Sequence, residues 1–501
     1  MTAPTVDPVK RRESRLWWFP SAEVLIFILV FSLSLFVMPQ LINSDGDLGR
    51  HITIGNVLLD QRAIPRVDIF SHTMSGEALV LHEWLSDLVF SIVYRVAGMN
   101  GIAWVTALIL ASTYALFTVG LKYVNVRTPV RLLAGMGAFL GGAIHWHTRP
   151  HIITTLLFTY FVVTLAYYYK TENWKILIPL PFVMILWANS HGAFISGLVL
   201  VGLFVLGLLL EKRFLAAGTI GGLFMILILS SCINPFGFKM ITHSFGYLQL
   251  DYLVDTTGEY TSPNFHHQIA WPFLGTMLLT VAMGWYSTRR IGWVPQVQLF
   301  FWTASALYSA RNIPLYEQVA VFFLAYEGDR LVAELSPKLD AYFSRSDQAG
   351  RRAGGWIYAI LFAGVLIFVQ ANGGMLDNAG LGNRFDPGFF PSRAIDALEE
   401  AGLPEGNVLN EFGWGGYLLY RLWPEKKVFI DGQTDFYGEK LTYTHSQTVD
   451  GKGDWQAVLD EYGVTWVILP PERPLGKLLN LSPVWERIHS DEIASVWVRR
   501  P

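Results

Sequence analysis

VLIFILVFSLSLFVMPQLINSDGDLGRH, residues 24–51, joins an apolar run to a charged motif. No small-x-small cleavage site follows the apolar run Val24–Met38, and further apolar runs come after it. We therefore predict a retained first membrane helix rather than a signal peptide. The basic residues before this run predict a cytoplasmic N-terminus. They are Lys10, Arg11, Arg12 and Arg15.

The composition of the whole chain is typical of a membrane protein. Apolar residues make up 52% of the 501 residues and charged residues 15%, whereas an ordinary soluble domain is about 25% charged. A soluble protein of this length would need a charged surface that this sequence cannot supply, which excludes an ordinary cytosolic enzyme. The single cysteine, Cys232, excludes an intramolecular disulfide.

Apolar runs continue along the chain and predict about eleven transmembrane helices. We expect the amphipathic segment His82–Gly98 to lie along the membrane surface, because Lys122, Arg127 and Arg131 then fall in the cytoplasm. The C-terminus then lies outside. After the first helix, the predicted spans are Ile102–Lys122, Leu132–Ile144, Ile152–Tyr169, Ile176–Ala188, Phe194–Leu210, Ala216–Ile233, Ile269–Tyr286, Trp293–Ala310, Ile313–Tyr326 and Trp356–Gln370.

The composition changes after the last span and predicts a C-terminal extracytoplasmic α/β domain. The expected organisation is a cytoplasmic segment (1–20), a polytopic α-helical transmembrane domain (21–371) with its first outer loop at 41–100, a linker rich in Gly, Asn and Pro (372–391), and the α/β domain (392–501). The predicted strands are Val408–Glu411, Val428–Asp431, Thr465–Leu469 and Ala494–Val498. The predicted helices are Gly416–Leu422, Asp454–Tyr462 and Leu475–Ile488.

Two carboxylates open the first outer loop. Asp45 and Asp47 flank Gly46, which allows a turn between them. Such a pair can supply a general base beside a carboxylate that orients the substrate or binds a divalent cation. Asp47 can instead cap a helix that begins after it, and a capping role does not exclude catalysis.

Other predicted outer loops carry further polar residues. His82 and Glu83, next to Trp84, suit either a substrate contact or an interfacial anchor. His191 lies in the short segment 189–192, which suits either a substrate contact or a tight hydrogen-bonded turn. Arg311 lies near Glu317, and charges at such depth usually pair with each other or line a wet cavity.

The segment His145-x-His147-x-Arg149 lies at an outer helix end. Alternate histidines suggest zinc, but no acidic or cysteine partner lies at ligand spacing along the sequence, so the pattern does not favour a metal site. Arg149 can hold a phosphate bidentately at the membrane boundary. Its alternative role is to reach the lipid headgroups.

Two motifs in the predicted outer domain contain glycine. They are Asn410–Tyr417 (NEFGWGGY) and Asp431–Asp435 (DGQTD). Their glycines can form turns or bring the backbone close to a ligand, and the spacing in the first motif does not fit a dinucleotide fingerprint. Turn formation is the simpler interpretation, and acceptor binding is the alternative.

Several of these features together resemble the GT-C superfamily of membrane glycosyltransferases that use polyprenyl-phosphate sugars, such as protein O-mannosyltransferases and lipid A aminoarabinose transferases. The resemblance rests on a first helix, Asp45-Gly46-Asp47 directly after it, a surface helix opened by His82-Glu83-Trp84-Leu85, many further spans and an outer α/β tail. Its motif-level part is Ser44–Gly98. The family commonly has Asp-Glu at the first motif and a His-Pro-Pro or Lys-Pro-Pro turn at the second.

The resemblance implies that Asp47 or Asp45 acts as the base or activates the acceptor. The predicted function is transfer of a sugar from a polyprenyl-phosphate donor to an unknown acceptor on the extracytoplasmic side. The predicted substrate-binding residues are His51, His82, Glu83, Arg149, His191 and Arg311. A divalent cation is possible as cofactor, whereas an organic cofactor and a nucleic-acid partner are not expected.

Membrane lipid is a further expected partner, and the expected location is the bacterial inner (plasma) membrane. One alternative function is a transporter or flippase of lipid-linked sugars, and the other is a non-catalytic assembly protein. The sequence has no internal repeat, and its polar residues collect on one predicted side of the membrane. Both observations favour an enzyme over a transporter.

Overall fold

The computed structural model describes residues 16–36, 44–247, 252, 258–287, 291–372 and 382–500, and most of these residues are helical. The basic residues at 10–15, Arg289 and Arg290, and part of the predicted linker lie outside the described residues. In chain order the helices are α1 (Ala22–Phe36), α2 (Leu48–Gln61), α3 (Trp84–Tyr123), α4 (Thr128–Gly141), α5 (His151–Thr171), α6 (Leu180–Ser190), α7 (Ile195–Leu210), α8 (Phe214–Ser231), α9 (Lys239–Tyr247), α10 (Trp271–Ser287), α11 (Trp293–Tyr308), α12 (Ile313–Leu335), α13 (Pro337–Arg352), α14 (Trp356–Ala371), α15 (Ser392–Ala401), α16 (Gly415–Leu422), α17 (Thr434–Val449), α18 (Trp455–Glu461) and α19 (Pro474–Leu481).

Helices α1, α3–α8, α10–α12 and α14 overlap the predicted spans. Within the described residues, five helical segments are long and apolar enough to cross a membrane, and three shorter apolar helices accompany them. The five are Trp84–Tyr123, His151–Thr171, Gly192–Leu210, Phe214–Ser231 and Gln268–Tyr286. These helices indicate an integral membrane protein, while the number eleven and the orientation of the termini remain predictions.

Helix α3 is broken at Gly98, where the backbone is left-handed at φ 60° and ψ −154°. An added Cβ at Gly98 would meet nothing within 4 Å, so the backbone conformation rather than space favours glycine there. The break separates a first segment from the long apolar segment that follows. These two segments correspond to the predicted surface helix and the span after it.

The bundle core is built on α3, which packs against α1 on one side and α5 on another. Small residues allow this close approach, because a Cβ on Gly120 of α3 would overlap the Val163 side chain of α5. Large aromatic side chains such as Tyr114, Phe139 and Trp187 fill the remaining space and are fully buried. Packing of this kind fixes the helix ends that carry the polar loops.

One end of the bundle is closed by ion pairs. Glu23, at the start of α1, accepts hydrogen bonds from Lys122 at 3.0 Å and Arg131 at 3.3 Å. Arg127 donates to Asp329 at 2.7 Å and to Asp340 at 2.6 Å. The three cations that the sequence assigns to the cytoplasmic side therefore lie together, and each has an acidic partner.

The C-terminal region contains a four-stranded mixed sheet and its helices. Its strands are β3 (Asn407–Asn410), β4 (Val464–Leu469), β5 (Trp485–Ser490) and β6 (Ser495–Arg499). Two further strands, β1 (Leu16–Pro20) and β2 (Ala353–Gly354), form a small separate pair. The sheet order is β3-β4-β6-β5, with β3 parallel to β4 and the other pairs antiparallel. Three of the four predicted strands are present with ends shifted by about one residue.

Two sequence assignments in this region were wrong. The predicted strand Val428–Asp431 forms a single bridge, between Val428 and Ser71 of the first outer loop, because this apolar segment packs against that loop. The predicted helix Leu475–Ile488 ends at Leu481, and Trp485 begins β5, which pairs with β6. Trp485–Ser490 is a strand because it pairs with β6 at the edge of the sheet, and the residue pattern of one segment alone does not reveal such pairing.

The first outer loop and the C-terminal region share one hydrophobic core. Leu48 and Ile52 of α2 belong to the same buried cluster as Tyr417 and Leu418 of α16. Helix α2 therefore packs directly on α16. This contact places the C-terminal region next to the acidic motif that precedes α2.

Candidate active site

A cavity of about 1050 Å³ lies where the first outer loop, the C-terminal region and several helix ends meet. This volume is at the upper end for a small-molecule pocket, which is about 300–1,000 Å³. Seven of the eight predicted site residues line it, namely Asp47, His51, His82, Glu83, Arg149, His191 and Arg311. Asp45 is 1% exposed and lies directly behind Asp47.

The walls of the cavity have a polar part and an apolar part. Polar groups from the loops form one part, and apolar side chains of α7, α11 and α12 form another. The apolar side chains that these three helices contribute include Ile195, Val199, Phe301, Trp302 and Leu315. A cavity of this composition suits an amphipathic molecule with a charged head and a hydrocarbon chain.

The acidic motif folds into a tight turn at the start of α2. The backbone N–H of Asp47 donates to Asp45 Oδ1 at 2.8 Å. Asp47 occupies the position before α2, and His51 N–H donates to its carbonyl oxygen at 3.1 Å. Among the described residues its side chain accepts no capping hydrogen bond. The Asp47 carboxylate is therefore directed to other partners.

Arg149 is the centre of the charged group. Its Nε donates to Asp45 Oδ2 at 2.7 Å, and its Nη1 lies 3.2 Å from Asp47 Oδ2. The same Nη1 donates to Glu259 Oε1 at 3.3 Å. The Arg149 side chain is 29% exposed to the cavity, so it binds three carboxylates and still faces the space where a substrate would lie.

Sequence reasoning missed Glu259, which lies in the short helix Gly258–Tyr260. Its Oε2 lies 3.4 Å from His145 Nε2. His145 has no acidic partner at ligand spacing along the sequence, and the fold supplies one from a loop more than 100 residues away. Glu259 is an acidic residue in a predicted outer loop with three histidine neighbours in space. The only sequence signal for this site residue was its acidic side chain in a predicted outer loop. Its partners come close to it only in the folded structure.

The local charges set the ionisation of these carboxylates. Burial alone would raise the pKa of Asp47, but the positive charges of Arg149 and Arg50 hold it below its ordinary value. The pKa of Glu259 is likewise lowered, because Arg311 and Arg149 outweigh its burial. Both groups are therefore carboxylates at neutral pH.

Arg311 adds a second guanidinium to the cavity. It stacks over the ring of Tyr260 at 5.0 Å and donates to the Tyr260 hydroxyl. Glu317, its neighbour in sequence, lies inside the bundle and accepts a hydrogen bond from Thr276 at 2.6 Å. Of the two roles predicted for Arg311, the structure places it in the cavity lining.

A second polar group surrounds the start of α3. His51 Nδ1 lies 2.6 Å from Asp87 Oδ1, and burial and the charge of Arg50 lower the pKa of His51 to about 4. Arg50, which sequence reasoning also missed, lies 3.7 Å from Glu83 and donates to Gln433 Oε1 at 3.1 Å. A neutral His51 therefore has its Nδ1 bonded to Asp87, so this edge of its ring is not free for a substrate.

The segment 189–192 forms the predicted hydrogen-bonded turn and also reaches the site. Asn189 accepts from Trp84 Nε1 at 3.0 Å and donates to two backbone carbonyls, so Trp84 is tied to this turn. His191 pairs through Nδ1 with Thr154 at 2.8 Å, and its Nε2 lies 3.5 Å from Glu83. The turn therefore positions Glu83.

Glycines bring the C-terminal region against the acidic motif. A Cβ on Gly46 would lie 2.6 Å from the carbonyl oxygen of Gly413, and a Cβ on Gly416 would overlap the Gly46 carbonyl. A Cβ on Gly432 would overlap the Asp47 carboxylate. The two glycine-containing motifs of the C-terminal region thus allow the backbone to approach the acidic loop, a use that the sequence did not reveal.

No family model matches the sequence, and no curated protein matches it. Solved structures of the oligosaccharyltransferase of the archaeon Archaeoglobus fulgidus do match the fold. The apo form has a TM-score of 0.59 at 11% identity, over 91% of this chain and 70% of that chain. The same enzyme, AglB, with an inhibitory peptide and a dolichol-phosphate matches with a TM-score of 0.57 at 10% identity, over 89% and 69%. Its complex with Zn and sulfate matches with a TM-score of 0.52 at 13% identity, over 92% and 69%.

The chain has a GT-C-like fold. This confirms the fold that the resemblance in sequence implied. At 10–13% identity the likeness covers the fold alone, and one fold can host several different reactions. The GT-C-like fold explains why a membrane bundle, a first outer loop and a C-terminal α/β region meet around one cavity.

Proposed function

We propose that this protein is a membrane glycosyltransferase that transfers a sugar from a polyprenyl-phosphate donor to an acceptor. The observation that carries the proposal is the position of Arg149, which binds the carboxylates of Asp45, Asp47 and Glu259 at the polar end of a cavity with apolar walls. A lipid-linked sugar has the matching chemistry, because its phosphate is anionic and its lipid is apolar.

Arg149 and Arg311 bind the donor phosphate in this proposal. A guanidinium keeps its charge at the membrane boundary and can contact two phosphate oxygens at once. The polyprenyl chain lies along the apolar side chains of α7, α11 and α12. The structure of AglB with dolichol-phosphate supports a lipid-linked donor in this fold, and its structure tethered to an acceptor peptide supports an acceptor site.

Asp47 is the general base. The acceptor oxygen attacks the anomeric carbon of the sugar, the bond from that carbon to the phosphate oxygen breaks, and the configuration inverts. The proton of the acceptor hydroxyl passes to Asp47, and polyprenyl phosphate leaves with its charge stabilised by arginine. Asp45 orients Asp47 through the hydrogen bond to its backbone N–H.

The donor also adjusts the basicity of Asp47. In the structure Arg149 lies 3.2 Å from Asp47 and lowers its pKa, which makes the carboxylate a weak base. A bound phosphate competes for the same guanidinium. Asp47 therefore becomes a stronger base when the donor is in place.

We assign no step of the transfer to a cation at the acidic motif. The AglB complex with Zn shows that this fold can hold a metal ion. In this chain, however, Arg149 contacts Asp45, Asp47 and Glu259, and Arg50 and Arg311 add further positive charge beside Asp47 and Glu259. Three guanidiniums therefore compensate the three carboxylates without an ion.

We further propose that the protein lies in the bacterial inner membrane with its N-terminus in the cytoplasm and residues 392–501 outside. The support is the charge distribution, because Lys122, Arg127 and Arg131 lie together at one bundle end. Basic residues favour the cytoplasmic side. The cavity then opens on the extracytoplasmic side.

The test is a transfer assay on the purified full-length protein in detergent micelles. Polyprenyl-phosphate sugars labelled in the sugar are incubated with candidate hydroxyl acceptors. The proposal expects labelled acceptor together with an equal amount of free polyprenyl phosphate. If the protein binds the donor and moves it across vesicle membranes intact, it is a transporter. If it neither binds nor converts any donor, an assembly role replaces the enzyme.

A further inference from the structure

Three potential metal ligands from distant parts of the chain meet beside the cavity. They are His82, His243 and Asp435, and one ligand atom from each lies within 4.8 Å of the other two. His243 Nε2 and Asp435 Oδ2 are 3.1 Å apart. The proposed transfer reaction uses none of these three side chains for chemistry.

The three residues belong to separate structural elements. His82 lies in the first outer loop before α3, His243 is on α9, and Asp435 is in the first turn of α17. Helix α17 is broken at Gly438, where φ is 72°, so the turn that carries Asp435 is set apart from the rest of the helix. The fold therefore builds this group from the membrane region and the C-terminal region together.

The polar atoms of this group are incompletely satisfied. Within the described residues, His82 Nδ1 is a buried atom without a hydrogen-bond partner, and His243 Nε2 and Asp435 Oδ2 contact each other as an ion pair outside hydrogen-bond geometry. Buried polar atoms are satisfied in the great majority of cases, and leaving one unsatisfied costs about 1–3 kcal/mol. A cation that binds one atom of each side chain removes this cost at the point where they converge.

The donor set favours a transition-metal ion such as zinc over calcium or magnesium. Two imidazoles and one carboxylate form the ligand set of three-ligand zinc sites, which leave a fourth position open. Calcium and magnesium instead prefer oxygen ligands. Zinc bonds of about 2.0–2.2 Å place ligand atoms about 3.4 Å apart in a tetrahedron. The distance of 3.1 Å between His243 and Asp435 is close to this spacing, and the ligand atom of His82 lies within 4.8 Å of both.

The surroundings also favour a cation. Glu83 Oε2 lies 3.9 Å from His82 Nε2 and adds a negative charge next to the group. The side chains of His82 and His243 are 17% and 23% exposed, and all three residues line the cavity. An ion can therefore enter from the cavity, and its open position faces the same space.

We propose that His82, His243 and Asp435 bind one zinc ion, which ties the C-terminal region to the membrane region at the edge of the cavity. The ion is distinct from any at the acidic motif. Because zinc binds the folded arrangement, it stabilises the contact between α17, α9 and the first outer loop. Its fourth position is available to an anionic oxygen of a molecule in the cavity.

The experiment measures zinc binding to the full-length protein in detergent micelles after treatment with a chelator. Zinc chloride is titrated, and bound zinc is counted by elemental analysis after desalting. We expect one zinc per chain, nitrogen and oxygen but no sulfur ligands by X-ray absorption, and a higher melting temperature with zinc. His243→Gln and Asp435→Asn should each weaken binding by at least about 100-fold, as much as the loss of a supporting partner can cost at a metal site.

Matched controls separate this site from the others. The exposed His266→Gln should bind zinc as the wild type does, and so should Asp47→Asn. Equal melting temperatures of variant and wild type in chelator show that the fold is intact without metal. The proposal is overturned if the wild type retains no stoichiometric zinc, if His243→Gln and Asp435→Asn bind as tightly as the wild type, or if Asp47→Asn removes the zinc. Since this test needs no donor or acceptor, its result is independent of the transfer reaction.

Discussion

The two ends of the helical bundle both contain charged side chains, but they use them differently. At the end where α1 begins, Glu23 is held by Lys122 and Arg131, and the cations there are matched with acids at hydrogen-bond distance. At the other end of the bundle, beside the loop that follows α1, Arg149 faces three carboxylates and a cavity of about 1050 Å³. We call the first group the closed end and the second the open end.

This difference shows that burial of charge does not by itself mark a site. The closed end leaves no room for a ligand around Arg131, which is fully buried, whereas the guanidinium of Arg149 is partly exposed to the cavity. Charges at the closed end therefore serve stability, and charges at the open end are available for chemistry.

The largest effect is expected at the open end, from Asp47→Asn. The amide keeps the shape of the side chain but cannot accept the acceptor proton, so transfer should fall by about 10²–10⁴. The measurement is the initial rate of polyprenyl phosphate release. Asp60→Asn, at an exposed position near the end of α2, is the control and should keep the wild-type rate. A rate within twofold of wild type for Asp47→Asn would remove the base assignment.

At the closed end, Glu23→Gln should act on stability. The change leaves Arg131 buried without its carboxylate, and breaking a buried pair in this way costs about 3–5 kcal/mol. The measurement is the free energy of unfolding in micelles. Glu172→Gln removes the acid of an exposed pair with Arg213 and should cost at most about 1 kcal/mol. Equal losses in the two variants would show that the closed end is not a stabilising element.

Asp431 gives the open end a pH dependence of stability. Burial raises its pKa to about 6, although Arg50 opposes the shift. Because the pKa of Asp431 is higher in the folded than in the unfolded protein, binding of its proton stabilises the fold. This contribution is fully present below about pH 4 and is lost as the pH rises through 6.

Asp431→Asn does not titrate and should therefore gain stability relative to the wild type between pH 4 and pH 7, by up to about 3 kcal/mol. The measurement is the difference in unfolding free energy between the two proteins at both pH values. Asp460→Asn, an exposed position in the same region, is the control. A difference that does not change with pH would contradict the assignment.

The sequence predicted the positions of the helices well, while the number of membrane spans stays a prediction. The runs that became α5 and α7 are apolar over most of their length, and apolar runs of this length form helices in a membrane. The polar residues Asp47, His82 and Arg149 were predicted because each lies next to the end of a predicted span or surface helix. Their position at helix ends is a local property of the chain.

The rest depended on contacts between distant segments. Glu259 acquires its role from Arg149 and His145 across more than 100 residues. Gly416 is a turn residue by sequence, but in the fold it permits contact with Gly46. The strand at Trp485 is decided by its pairing with β6. Local periodicity does not contain this information, because tertiary packing overrides it.

The smallest predicted effect also tests the central claim, that the open end binds a lipid phosphate through Arg149. Equilibrium binding of a fluorescent polyprenyl phosphate to the full-length protein in micelles measures the affinity for the lipid phosphate without any reaction. We expect one lipid per chain in the wild type and about 10- to 100-fold weaker binding in Arg149→Lys, because lysine loses the second hydrogen bond to the phosphate. The exposed Arg66→Lys should bind as the wild type does. Equal affinity of Arg149→Lys and the wild type, or the same loss in Arg66→Lys, would contradict the account.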